Sequence, residues 1–320
     1  MWTYIGKSFG AVCSRTLVFI ISILSLGILP TRVTSQDVIR DTIRLYFLGG
    51  QSNMEGHGSV SELPDSLKVD YQDIWIFQGN PVPDESANGG LGIWDSLKPG
   101  HGAGFFSDGN SNQLSNKFGV ELSFAKRLRH LYPNEKIALI KYARGGSSLD
   151  SLAAREYGSW EIDYRGVNGI NQLDHYLHTI SEALKITDID NDGRVDILIP
   201  QGIIWMQGES DATITEEIAL RYEGNLKRLM DLIRISLHID DLPVVIGKIS
   251  DSGMSNKGKV WQYGELVQYA QEQYVRADRN ATIVRETRNY KYSDPWHYDT
   301  EGYITLGERF AEAVYGLSMK

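Results

Sequence analysis

The residues of this chain that can do chemistry together begin with Ser52, which follows Gly49-Gly50-Gln51 directly after the apolar run 43–48. Two glycines permit a tight turn. A serine placed there stands where an open parallel sheet gathers its ligands, outside the carboxyl end of a strand. A serine hydroxyl becomes a nucleophile at neutral pH only beside a base, and an imidazole serves as that base when a carboxylate or carbonyl holds its tautomer. Asp294-Pro295-Trp296-His297 offers both partners from one proline-stiffened turn. Each piece alone has an ordinary alternative, Ser52 as a helix N-cap and Asp294 with His297 as a structural pair.

Two further clusters fall behind apolar runs. The segment Trp205-Met206-Gln207-Gly208-Glu209-Ser210-Asp211 brings Gln207 out at the same predicted sheet edge as Ser52. A side-chain amide there can donate to the oxyanion of a tetrahedral intermediate, a contact whose loss typically costs about 3–4 kcal/mol. After the run 137–142, Arg144-Gly145-Gly146-Ser147-Ser148-Leu149 offers a glycine N–H as another oxyanion donor. Gly145 and Gly146 both remain candidates, and a plain turn explains them equally well. Four such pieces at four predicted strand ends, ordered so that one sheet edge collects them, form a pattern that chance rarely produces.

The elements that must position them follow from the apolar periodicity. Short β-branched runs at 43–48, 137–142, 195–205, 244–249 and 281–284 predict five parallel strands. Periodic segments at 121–131, 169–184, 214–237, 266–276 and 305–315 predict the covering helices. The fold class expected is therefore α/β, a doubly wound sandwich. Residues 56–116 break this rhythm: they are rich in Gly, Pro, Asn, Asp and Ser, with one brief strand-like run at 73–77. A long loop in a compact domain is more often functional than accidental, so it is expected to border the site, with Trp94 or Phe105 as faces for a sugar ring.

At the N-terminus, Lys7 and Arg15 precede an apolar run from 17 to 29, which is short for a membrane-spanning helix of about 20 residues. Val33 and Ser35 put small residues before a cleavage point, so 1–35 is expected to be an export signal and 36–320 one domain, secreted or periplasmic. An uncleaved signal anchor is the alternative. Cys13, the single cysteine, lies inside that leader, so the remaining chain has no thiol for a disulfide, a zinc–thiolate site or a nucleophile. Removing the leader's three basic and no acidic residues takes the formal charge from −9 to −12. An acidic surface repels nucleic acid and anionic lipid and is indifferent to neutral polysaccharide. The sequence does not fix the oligomeric state.

One motif stands apart. Asp188-Ile189-Asp190-Asn191-Asp192-Gly193-Arg194-Val195-Asp196 has acidic residues at alternating positions and glycine at the sixth, as in a calcium loop, but position twelve is Ile199 rather than a bidentate Glu. An Asx-rich solvated turn accounts for it as well.

Four blocks carry a family resemblance that spans residues 44–314. They are Gly50-Gln51-Ser52-Asn53-Met54, Gly145-Gly146-Ser147-Ser148-Leu149, the Trp205 to Asp211 segment, and Asp294-Pro295-Trp296-His297-Tyr298 followed by Gly302-Tyr303. In these the chain resembles the SGNH hydrolases, within them the branch of carbohydrate esterase family six acetyl xylan esterases and sialate O-acetylesterases. The resemblance implies a flavodoxin-like three-layer α/β/α sandwich on a five-stranded parallel sheet. It implies Ser52 as nucleophile, His297 as base and Asp294 as its orienting carboxylate. It implies oxyanion donors from Ser52 N–H, Gly145 N–H and Gln207, with Gln51, Asn53, Gly146 and Glu209 in support and no metal or organic cofactor. Three departures bear on the acyl pocket: Met206 where the family has His, Ser147 where it has Thr, and no tryptophan near the second block unless Trp160 takes that place. The expected substrate is an acetylated carbohydrate, acetyl xylan first and sialic acid esters second, for which Arg144 or Arg165 can meet the acid. A non-catalytic carbohydrate-binding protein on the same fold is the rival reading, and the intact Ser52, Asp294, His297 and Gln207 argue against it.

Overall fold

From Leu45 to Gly50 the first apolar run is buried at every residue, as a strand covered on both faces requires. This strand, β1 (Arg40–Gly50), lies near the middle of a seven-stranded sheet. The others are β2 (Tyr71–Gln78), β3 (Trp94–Leu97), β4 (Lys136–Ala143), β5 (Val195–Met206), β6 (Val244–Gly247) and β7 (Ala281–Val284). Their order is β7-β6-β5-β1-β4-β2-β3, parallel throughout except that β3 runs antiparallel to β2 at the edge. The computed structural model describes residues 40–84, 86–166 and 169–319. The expected leader, 1–35, and its cleavage point lie outside them.

The sheet corrects the expected count of five. The brief run near 73–77 is a full parallel neighbour of β4, and Trp94-Asp95-Ser96-Leu97 adds the edge strand. An edge strand is held by backbone pairing on one side and needs little apolar pattern, which is why so polar a segment carries no strand signal.

Helices α2 (Glu121–Leu131) and α6 (Thr300–Ser318) cover one face, and α3 (Gln172–Lys185), α4 (Glu216–Ser236) and α5 (Gly264–Ala277) the other. Adjacent residues of β1 divide between the two: Tyr46 meets Phe124 of α2 at 5.4 Å, and Phe47 meets Tyr176 of α3 at 4.6 Å. Gly307 lets α6 approach α2, since a Cβ there would fall 2.1 Å from Ser123 Oγ and 2.5 Å from the Val120 carbonyl. Side-chain caps fix three helix starts: Asn171, Thr215 and Asp299 accept from Asp174 N, Ile218 N and Gly302 N. The Asp299 cap starts α6 five residues before the predicted 305. No helix among the described residues is long and apolar enough to cross a membrane.

Candidate active site

The strand β1 ends against β5 with Gly50 paired to Met206. Gly50 has φ +147°, and a Cβ there would sit 2.0 Å from the Met206 carbonyl oxygen, so this position admits only glycine. The chain then turns into the single helical turn α1 (Ser52–Glu55), whose N-cap Gln51 accepts from Met54 N and Glu55 N at 2.8 Å through its carbonyl. Ser52 therefore heads a short helix at the carboxyl end of the central strand, and only 7% of its surface is exposed.

Asp294 and His297 form one closed turn. Asp294 Oδ1 accepts from Trp296 N and His297 N, both at 2.8 Å, and Oδ2 lies 2.7 Å from His297 Nδ1. Burial pushes the Asp294 carboxyl up, but the His297 ring and the two backbone donors together hold it below its ordinary value. A carboxylate so placed favours the proton on Nδ1 and leaves Nε2 free to accept one. Ser52 and His297 line the same cavity. No hydrogen bond joins their side chains in this structure, and in ligand-free enzymes such contacts commonly close only around the substrate.

Polar braces tie the four blocks together. Asn53 donates through Nδ2 to Glu209 Oε1 at 2.8 Å and to the Trp296 carbonyl at 3.1 Å. Its Oδ1 accepts from Tyr303 at 2.9 Å, which fixes the Ser52 turn to α6 as well. Gln51 Oε1 accepts from the N–H groups of Gly208 and Ser210 at 3.3 Å. Asp211 accepts from Leu149 N, Asp150 N and Gln207 Nε2, which locks the second block to the third. Glu209 and Asp211 are both buried, which raises their carboxyls to about 7 and about 6. Trp160 reaches the second block: its indole donates to Ser147 Oγ at 3.2 Å.

The expected oxyanion donors need correction on two counts. The Gln207 amide nitrogen is fully buried and spent on Asp211 (2.7 Å), Gln51 (3.2 Å) and the Ser147 carbonyl (3.2 Å). Tyr222 also donates to its amide oxygen. Gln207 thus braces the site from behind instead of lining it. Gly145 N–H donates to Glu55 Oε2 at 2.7 Å, so that donor is occupied too. Among the described residues, the N–H groups of Ser52 and Gly146 have no protein acceptor, and both residues line the cavity.

The cavity holds about 580 Å³ and is walled by residues that sequence reasoning passed over: Glu55, His57, Arg155, Tyr157 and Trp261, beside Arg144 and Trp296. Glu55 lies one helical turn after Ser52 and so shares its face, a spacing that could have flagged it. Its carboxyl is raised by burial against the opposing pull of Arg144 and the Gly145 N–H. His57 stacks on His297 with ring centroids 3.7 Å apart and planes 8° apart. Burial, and then the neighbouring His297 ring, lower its imidazole to about 4, so it is neutral at neutral pH. Neither Trp94 nor Phe105 faces the cavity: Trp94 packs on Phe77 and donates to the Ala183 carbonyl, and Phe105 stacks on His101. Tyr157 and the half-exposed Trp296 are the aromatic faces there instead. Residues 56–116 do border the site, through His57, Ala103 and Gly104. Arg165 does not line the cavity; Arg155 does.

Residues 42–316 match the family described as carbohydrate esterase, sialic acid-specific acetylesterase, and the chain belongs to it. It is accordingly a serine-type carboxylic ester hydrolase of the carbohydrate acetylesterases. Among solved structures, it is similar to a protein from Arabidopsis thaliana with 19% identity and a TM-score of 0.58, over 85% of this chain and 98% of that one. It is similar to NanS with 14% identity and a TM-score of 0.56, over 88% and 99%. It is also similar to a carbohydrate acetylesterase from Xanthomonas citri with 18% identity and a TM-score of 0.52, over 85% of this chain and 57% of that longer one. At these identities the likeness concerns the fold. No curated protein sequence matches the chain.

Proposed function

We propose that this chain is an exported O-acetylesterase acting on carbohydrate, with Ser52 as nucleophile, His297 as general base and Asp294 as the carboxylate that orients it. The observation that carries this reading is the 2.7 Å contact from His297 Nδ1 to Asp294 Oδ2, in a cavity shared with Ser52. His297 Nε2 takes the Ser52 proton as Oγ attacks the acetyl carbonyl carbon. The free N–H groups of Ser52 and Gly146 receive the oxyanion. The imidazolium returns its proton to the sugar oxygen, which leaves as the alcohol. Water, deprotonated by the same nitrogen, then splits the acetyl-enzyme into acetate and free serine. Treatment with an arylsulfonyl fluoride followed by peptide mass spectrometry tests it: the reading requires the adduct on Ser52 and its loss in His297→Ala.

Acetyl xylan is the first polymer to try. A second reading, an acetyl ester on a sugar acid such as sialic acid, is favoured by a specific feature of the cavity. Arg144 and Arg155 both line it, and neither makes a salt bridge within 4.0 Å among the described residues. Two guanidinium groups beside a leaving sugar suit a carboxylate. Acetate release from acetylated xylan and from O-acetylated sialic acid, measured side by side, decides between the two.

A further inference from the structure

Far from the catalytic edge, at the amino-terminal ends of the central strands, five carboxylates converge. Asp41 is the second residue of β1 and Asp196 the second of β5, and the two are register partners. The turn before β5 brings Asp188, Asp190 and Asp192 to the same place. Oxygens of Asp188, Asp190 and Asp192 lie within 4.8 Å of one another, as do those of Asp41, Asp190 and Asp196. Two bases face this group. Lys136 Nζ is 2.6 Å from both Asp41 and Asp190, and Arg194 lies 3.6 Å from Asp41 and 3.8 Å from Asp192. They leave three negative charges uncompensated, and neither makes a salt bridge to Asp188 or Asp196.

Asp196 is the telling residue. It is 7% exposed, its Oδ2 accepts from Ile189 N at 2.6 Å, and its Oδ1 has no partner among the described residues. A buried carboxylate oxygen without a donor costs free energy that proteins rarely leave uncompensated. Here that oxygen belongs to a cluster already rich in negative charge.

We propose that the 188–196 turn, closed by Asp196, is a calcium site. Asp188, Asp190 and Asp192 supply carboxylates at positions one, three and five, and position seven offers the Arg194 carbonyl. Asp196 at position nine supplies from inside the fold the acid that Ile199 fails to provide at position twelve. Gly193 at position six has φ +81°, as the sharp turn demands. The oxygens of Asp188, Asp190 and Asp192, within 4.8 Å of one another, fit around an ion bound at about 2.3–2.6 Å, and Asp190 links them to the second group, with Asp41 and Asp196; magnesium demands about 2.0–2.1 Å and strict octahedral geometry. The ion would pin the starts of β1 and β5. It lies about 30 Å along β1 from Ser52, at roughly 3.3 Å per residue, so its role is stability and not catalysis.

The test is calcium titration of the chelator-treated full chain by calorimetry, with thermal melts in calcium chloride, magnesium chloride and chelator. The expected result is saturable calcium binding and a rise in Tm of about 5–10 °C at a hundredfold excess over Kd, without a matching response to magnesium. Asp188→Asn and Asp192→Asn should lower affinity at least about tenfold while melting like the parent in chelator. Asp196→Asn separates the alternatives. With an ion site it abolishes the calcium response; with a merely unpaired carboxylate it raises Tm in chelator and changes nothing else. No heat and no shift in the parent chain, or a shift retained in all three variants, overturns the proposal.

Discussion

Asp294→Asn should lower kcat by about 10³–10⁴-fold, because the amide reverses the imidazole tautomer rather than merely weakening a contact. Oδ1 of Asp294 already accepts two backbone donors, Trp296 N and His297 N, at 2.8 Å each. An asparagine must keep its carbonyl oxygen at that position, since its NH₂ there would face two N–H groups. The NH₂ then falls where Oδ2 now stands, 2.7 Å from His297 Nδ1. The ring can only accept there, so its proton moves to Nε2 and the nitrogen that should deprotonate Ser52 becomes a donor. At about 1.36 kcal/mol per tenfold, the loss amounts to about 4–5.5 kcal/mol of transition-state stabilisation. Initial rates of 4-nitrophenyl acetate hydrolysis measure it, with a melt alongside. The melt should hardly change, since the turn keeps its backbone hydrogen bonds. A variant within about tenfold of the parent rate refutes the tautomer argument.

Further outcomes follow from the same contacts. Lys141 is fully buried and donates to Glu121 at 2.7 Å and to the carbonyls of Glu55 and His101. Lys141→Met strands the Glu121 charge and should cost about 3–5 kcal/mol, seen as a Tm lower by on the order of 10 °C, with partial recovery on adding Glu121→Gln. Glu209 and Asp211 stand at about 7 and about 6 in the folded chain, against roughly 4 unfolded. The folded state thus holds protons that the unfolded chain has released, and the contribution of these two groups to stability is full below about pH 4 and falls as pH rises through 7. Denaturant melts across pH 5–8 should show that decline, and Glu209→Gln should flatten it. Arg155→Ala should raise KM for an acetylated sugar acid by about 10–100-fold, the value of a hydrogen bond to a charged group, while leaving 4-nitrophenyl acetate hydrolysis within about twofold. An equal effect on both substrates would remove Arg155 from sugar recognition.

The candidate chemistry was legible because its residues sit where a parallel sheet forces them, in the turns after β1, β4 and β5 and just before the last helix. Buried strands announce themselves by apolar runs, and the five that flank the site were all readable. β2 shows in the sequence only as the brief run at 73–77, and β3 is obscured because an edge strand draws on backbone hydrogen bonds and keeps polar residues such as Asp95 and Ser96. The oxyanion donors were half legible. Position puts Gln207 at the correct edge, but whether its amide faces the cavity depends on Asp211 and Tyr222, which compete for it inside the core. The spacing of Glu55 from Ser52 places it on the same face, but its contact to the Gly145 N–H, 90 positions away, is set by the fold alone. Trp94 and Phe105 were credited with sugar contacts by loop membership alone, and the core claimed both.

Acetate release from acetylated carbohydrate by the parent chain and by folded Ser52→Ala, with xylan and O-acetylated sialic acid as parallel substrates, tests the central claim most directly. The account predicts release from at least one substrate and its loss by about 10³-fold or more in the variant. Release by Ser52→Ala within about tenfold of the parent would show that another group attacks the ester.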